Sequence, residues 1–245
     1  FARAKGYKYQ IDRFRDLEFS KEDWLRVVEE CAIQDIDFLA TCFDPDTLAY
    51  FEPHMKYIKI ASGDLTYKEL IEQAGRYGKQ VILSTGMATP EEIQLAASWV
   101  PTHLLNVLHC ISVYPCPDKF VDLNQITKLR YFYPRVGYSD HAIGITACLG
   151  AIALGAQIIE KHFTLDNSKD FGDHAHSANP EQLKELVTQA RRLEDMRIGS
   201  LERPEFETNR FRRGGYAARD LKAGDVVTAD DVASLRPANL KMPHE

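Results

Sequence analysis

The segment QVILSTGMATPEEI, Gln80 to Ile93, holds a complete change of secondary structure within a few residues. Val81, Ile82 and Leu83 are apolar on both faces, as in a parallel strand covered by helices. Ser84, Thr85 and Gly86 then end the run with polar and flexible residues. Thr89 followed by Pro90 opens a helix, with threonine as N-cap and proline where its missing N–H costs nothing. Strand, polar turn and helix make one β/α unit.

The unit recurs on both sides of this segment. Strand-like runs stand at IDFLATCF (36–43), YIKIAS (57–62), LLNVLHC (104–110), RVGYSD (135–140) and QIIEKHF (157–163). Amphipathic stretches lie between them. Ser20 and Asp23 form a capping box ahead of Trp24, Val27, Val28 and Cys31. Thr66 and Glu69 repeat the device ahead of Leu70, Ile71 and Ala74, and Gly78 stops that helix. Asn179 and Pro180 open a long helix carrying Leu183, Leu186, Val187, Ala190 and Leu193. Strand starts fall roughly 21 to 31 residues apart, the beat of a (β/α)₈ TIM barrel. Six strands are visible where a closed barrel has eight. The expected class is α/β: either a TIM barrel over residues 1–200 lacking its first two βα units, or an open sheet. Residues 201–215 are polar and basic and read as a linker. Residues 216–245 read as a small, truncated β-rich module with a Gly224–Asp225 turn and a Thr228/Asp231 capping box.

Composition excludes several classes of function. At 245 residues, 44% hydrophobic and 27% charged, the chain has an ordinary globular balance. Its net charge of −6 argues against a broad nucleic-acid surface but not against a small cationic pocket. No apolar run approaches the roughly 20 residues of a membrane helix. The 5 cysteines are odd in number and mostly in apolar contexts, so a reduced, cytoplasmic compartment is expected.

Barrel strands deliver functional groups at their C-terminal ends. Those ends carry Thr41; Lys59, Ser62 and Asp64; Ser84 and Thr85; His109, Ser112 and Tyr114; Ser139 and His141; and Glu160, Lys161 and His162. Hydroxyls of Thr41, Ser62 and Ser139, with the Lys59 ammonium, suit a phosphate or phosphate ester. His141 and His162 could be two imidazole ligands of a divalent metal with positions left for substrate. Asp64 or Asp173 could take a hydroxyl proton or bind a sugar. Plainer readings compete. A lone strand-end histidine is more often a hydrogen-bonded structural residue, and Lys59 could snorkel from an edge. Ser84 and Thr85 could satisfy loop backbone, and Tyr114 could be wall packing. His109 sits deeper in its strand and reads as structural.

The strings YIKIASGD, QVILSTGMATPEEI, LLNVLHCISVYPCP, VGYSDHAIGI, ALGAQIIEKHFTLD and GDHAHSANPEQLKELV occur in the order found in the N-acetylneuraminate (sialic acid) synthase family. That family includes the legionaminate and pseudaminate synthases, and the chain resembles it from about Leu17 to Asn239. The tail NRFRRGGYAARDLKAGDVVTADDVASLRPAN is similar to the family's C-terminal antifreeze-like (SAF) domain. The resemblance implies a transferase that condenses phosphoenolpyruvate with an N-acylated amino sugar, such as N-acetylmannosamine or a diacetamido-trideoxyhexose, and releases phosphate by C–O cleavage. It implies Mn²⁺ or Mg²⁺ on His141 and His162, and a phosphate site at Thr41, Lys59, Ser62 and Ser139. It also implies substrate contacts at Ser112, Tyr114 and Asp173, a catalytic carboxyl at Asp64, and Arg236 reaching the sugar within a domain-swapped homodimer. The sequence has ASGD where the family commonly has ASGE. It shows no counterpart of the family's N-terminal AEIG strand or second-strand lysine. The alternative expectation is a non-catalytic relative, or a fragment, that binds a sugar acid or phosphate.

Overall fold

Parallel pairing organises the larger part of the chain. The computed structural model describes residues 15, 17–169, 172–199 and 211–236. They fall into two compact units, Phe1–Ile198 and Gly199–Glu245.

In the first unit, α1 (Lys21–Ile33) and α2 (Pro45–Phe51) precede β1 (Tyr57–Ile60). Then follow α3 (Lys68–Arg76), β2 (Gln80–Ser84), α4 (Pro90–Ala97) and β3 (Leu105–Cys110). Next come α5 (Asn124–Leu129), β4 (Val136–Asp140), α6 (Thr146–Ala153), β5 (Ile159–Lys161) and α7 (Pro180–Ile198). The five strands form one sheet in sequence order, each pair parallel. Sequential parallel neighbours joined through helices are the TIM-like pattern.

The sheet curls. In a flat sheet, β1 and β5 would lie about 19 Å apart, four spacings of roughly 4.8 Å. Yet Lys59 Nζ on β1 stands 3.4 Å from Glu160 Oε1 on β5. The two edge strands therefore face each other across an interior, and the described strands make a half-barrel. Gly137 permits the tight packing of β4: a Cβ there would lie 2.4 Å from Leu108 Cδ2 and 2.5 Å from the Ile158 carbonyl oxygen.

Apolar periodicity builds the core as read. Leu70, Ile71 and Ala74 of α3 are buried in one cluster with Val81 and Leu83 of β2. Ile126, Val136, Tyr138 and Ala151 form a second cluster under β4. The Ser20/Asp23, Thr89/Glu92 and Asn179/Gln182 caps are all formed.

Three expectations need correction. IDFLATCF is not a strand; only Thr41 bridges to Lys59, in parallel. Among the described residues its one strand neighbour is β1, and Ile36, Leu39 and Phe43 stay exposed, so there is little to extend the ladder. The six expected strands are thus five. Thr66 does not cap α3, because Ser62–Asp64 form a 3₁₀ turn whose Asp64 carbonyl accepts from Tyr67 N–H at 2.8 Å. That bond moves the start by one residue, and Tyr67 becomes a cap without a side-chain bond. Lastly, the expected linker overlaps a strand: β6 (Gly214–Ala217) pairs antiparallel with β7 (Val232–Leu235). Gly214 and Gly215 pair through backbone, which the polar, basic texture that suggested a linker does not report. Residues 201–210 of that linker lie outside the described residues.

In the second unit, Thr228 and Asp231 form their capping box, and Arg219 Nε donates to Asp231 Oδ1 at 2.5 Å.

Candidate active site

The C-terminal ends of β1 to β5 surround a cavity of about 490 Å³. Eight of the expected site residues line it: Thr41, Lys59, Ser62, Ser112, Tyr114, Ser139, His141 and His162. Their convergence follows from the parallel register. Every strand points its C-terminal end the same way, so the polar residues closing each run meet at one mouth.

One side of the cavity is cationic and hydroxylic. Lys59 is 5% exposed, which rules out snorkelling to solvent. Its ammonium donates to the Ile60 carbonyl at 3.1 Å and faces Glu160, whose side chain is 43% exposed. Thr41 stands beside it through the bridge. Ser62 Oγ accepts from Gly86 N–H at 2.9 Å and donates to Cys110 Sγ at 3.7 Å. Thr85 satisfies backbone as read, donating to the Leu108 carbonyl at 2.8 Å. Ser84 does not: its hydroxyl is buried, lines the cavity and has no partner. An orphan hydroxyl beside a buried ammonium is a ready donor to an anion.

The other side is aromatic and imidazole-rich. The ring centroids of His141 and His162 are 5.2 Å apart. Tyr114 stacks at 4.1 Å from His141 and 5.9 Å from His162. His141 Nδ1 lies 2.8 Å from the Ile111 carbonyl, so in the neutral ring Nδ1 carries the proton and Nε2 the lone pair. Burial opposes charge on His141, but the Cys110 thiol and the Ile111 carbonyl outweigh it, and its pKa is raised. Cys110 moves the opposite way: burial would raise it, yet bonds and charge from His141, with Ser62 and Ser139, bring it below the ordinary thiol value. His162 is held below the ordinary imidazole value by burial and then by His141, against the opposing pull of Asp173. Asp173 Oδ2 stands 3.8 Å from His162 Nδ1.

Three expected residues are not among this lining: Asp64, Asp173 and Arg236. Asp64 sits in the 3₁₀ turn after β1, its carboxyl raised by burial and lowered in part by Lys59. Arg236 is exposed just after β7 in the second unit. His109 is structural as read, its Nε2 2.7 Å from the Val121 carbonyl.

Sequence reasoning gave Ser84 only a loop-backbone role and passed over Cys110 and His176. His176 is buried, with an unpartnered Nε2, and its ring is 5.1 Å from that of His162. The doublet of histidines in GDHAH was the available signal. Its meaning depends on the loop after β5, which Thr164 N–H to Ala178 O and Ala178 N–H to His162 O fold back onto the strand.

Of the residues present, His141 and His162 are the two that would hold a divalent cation. Among the described residues, no group of three His, Cys, Asp or Glu side chains is arranged to hold a metal. Two neighbouring imidazoles, one oriented by a backbone carbonyl, suit an ion whose other positions go to water and substrate.

The profile of the NeuB family matches residues 2–201. The chain belongs to the NeuB family. An uncharacterized protein of Methanocaldococcus jannaschii is 39% identical to this NeuB-family chain over 250 residues, 97% of the chain and 72% of that protein. The N,N'-diacetyllegionaminic acid synthase of Campylobacter jejuni is 33% identical over 241 residues, covering 94% and 72%. Among solved structures, the N-acetylneuraminic acid synthetase of Leptospira borgpetersenii, in complex with citrate, superposes with a TM-score of 0.72 at 36% identity, covering 78% of this chain and 68% of that one. No helix among the described residues is long and apolar enough to cross a membrane.

Proposed function

We propose that this NeuB-family chain is a nonulosonic acid synthase, condensing phosphoenolpyruvate with an N-acylated amino sugar to give a nine-carbon keto acid and phosphate. The observation that carries the reading is one cavity lined both by Lys59 with the hydroxyls of Thr41, Ser62, Ser84 and Ser139 and by His141 with His162.

In this reading the Lys59 ammonium and the hydroxyls of Thr41, Ser62, Ser84 and Ser139 hold the phosphate of phosphoenolpyruvate. Glu160 keeps the ammonium in place from the opposite edge of the sheet. Mn²⁺ or Mg²⁺ would be held by His141 and His162, and when bound supplies Lewis acidity to the aldehyde of the open-chain sugar. Tyr114 forms the wall against which the acceptor lies, Ser112 stands beside it, and Asp173 binds a sugar hydroxyl. Asp64, its carboxyl raised by burial, is suited to proton transfer. C3 of phosphoenolpyruvate bonds to the aldehyde carbon, water adds at C2, and the C–O bond to phosphate breaks. The second unit is read as an antifreeze-like domain that carries Arg236 to the acyl group of sugar bound by a partner copy. All 5 cysteines are free, which suits a reducing cytoplasm.

The test is incubation with phosphoenolpyruvate, Mn²⁺ and a panel including N-acetylmannosamine and diacetamido-trideoxyhexoses. Phosphate release that requires both metal and one sugar is expected. Binding of phosphoenolpyruvate without turnover on any sugar would favour a non-catalytic binding relative.

A further inference from the structure

We infer that the buried ion pair between Asp140 and Lys161 is a positioning device that sets the spacing of the two metal-facing imidazoles. The inference rests on the two-histidine reading of the site. Asp140 and Lys161 are direct partners in the β4–β5 ladder. Each immediately precedes one of the histidines, His141 and His162. Lys161 Nζ donates to Asp140 Oδ2 at 2.8 Å, with side-chain exposures of 3% and 0%.

The pair also holds the backbone on both sides of His141. Asp140 Oδ1 accepts from Ala142 N–H at 2.9 Å and from Tyr138 Oη at 2.9 Å. Lys161 Nζ donates a second bond to the Ala142 carbonyl. Cys148 Sγ, from α6, donates to Asp140 Oδ2 at 3.2 Å. His141 is therefore gripped between two residues tied to the neighbouring strand. His162 follows the lysine that ties them.

Stability alone gives little reason for such a pair. Two charges buried together recover their desolvation only with full hydrogen bonding, and apolar replacements are often as stable. Fixing the relative position of two ligands is a different task, and supporting groups of this kind change metal affinity by about 10- to 100-fold.

Free Mn²⁺, followed by its electron paramagnetic resonance signal, tests the inference in wild type, Lys161→Met, Asp140→Asn/Lys161→Met and His162→Ala. Thermal melting of each is recorded alongside. Lys161→Met strands a buried carboxylate and is expected to melt lower. The double variant removes both charges while keeping an oxygen for Ala142 and Tyr138, and is expected to regain most of that loss. Its Mn²⁺ affinity should still fall about tenfold or more. A double variant that binds Mn²⁺ within about twofold of wild type overturns the inference. So does a double variant that does not fold, which assigns the pair to folding alone. Should wild type bind Mn²⁺ no better than His162→Ala, the metal reading itself fails, and the inference with it.

Discussion

At the scale of single residues, Lys59 separates the two halves of the account most cleanly. A charge-assisted hydrogen bond contributes about 1.5–3 kcal/mol, so Lys59→Met should raise the apparent KM for phosphoenolpyruvate by about tenfold or more. The KM for the sugar should change little, and steady-state kinetics on both substrates reads the difference. Melting temperature should not drop, because a buried ammonium gives way to an apolar chain of similar length and Glu160 is free to hydrate. Gly86 is the second such residue. A Cβ at this position would lie 2.2 Å from Ser112 Oγ and 2.8 Å from Cys110 Sγ. With Ser62 Oγ at 3.0 Å as well, Gly86→Ala should displace the Ser112 and Ser62 hydroxyls and weaken phosphoenolpyruvate binding, seen by calorimetry, more than it lowers the melting temperature. Lys59, Ser62, Ser139 and both histidines were legible because each closes an apolar run. Ser84 closes one too, but whether a serine satisfies its own loop or faces a ligand depends on neighbours that a string of letters does not show. Thr85 and Ser84, adjacent in sequence, went opposite ways.

At the scale of elements, local chemistry carried most of the prediction, and its failures share a cause. The caps at Ser20, Thr89 and Asn179 form because all partners lie within three residues. Asp44, the N-cap of α2, accepts from Thr47 N–H at 2.8 Å and from its hydroxyl at 2.6 Å. Those two bonds hold its carboxyl below the usual 3.8. Asp44→Ala should cost about 1 kcal/mol at neutral pH in denaturant unfolding. The sign follows from the lowered pKa: the contribution is full above the ordinary carboxylate value and is lost as pH falls through the lower folded value. The gap between wild type and variant should therefore close in acid. The run 36–43 was misread because a strand needs a partner, and composition cannot report whether one is beside it. Thr66 was displaced as a cap by the 3₁₀ turn at Ser62–Asp64, whose bond to Tyr67 runs through backbone that every residue shares.

At the scale of the whole molecule, the β/α beat foretold sequential parallel strands, and the sheet has them. The curl is what the barrel expectation implies, and the described strands have it as a half-barrel. It shows in the approach of Lys59 to Glu160, residues a hundred positions apart on opposite edges of the sheet. The same curl brings Lys59 and the His141–His162 pair to the lining of one cavity, on which the proposed synthase chemistry depends. The second unit enters that account through Arg236. Arg236→Ala should raise the KM for the sugar while leaving phosphoenolpyruvate binding unchanged, and the effect should vanish under conditions where sedimentation shows no dimer. The central claim is that phosphoenolpyruvate binds within a few ångströms of a cation held by His141 and His162. The ³¹P resonance of phosphoenolpyruvate, measured with the protein and substoichiometric Mn²⁺, tests it directly. Strong paramagnetic broadening with wild type, lost in His162→Ala and in Lys59→Met, is the predicted result; equal broadening in all three proteins would contradict the account.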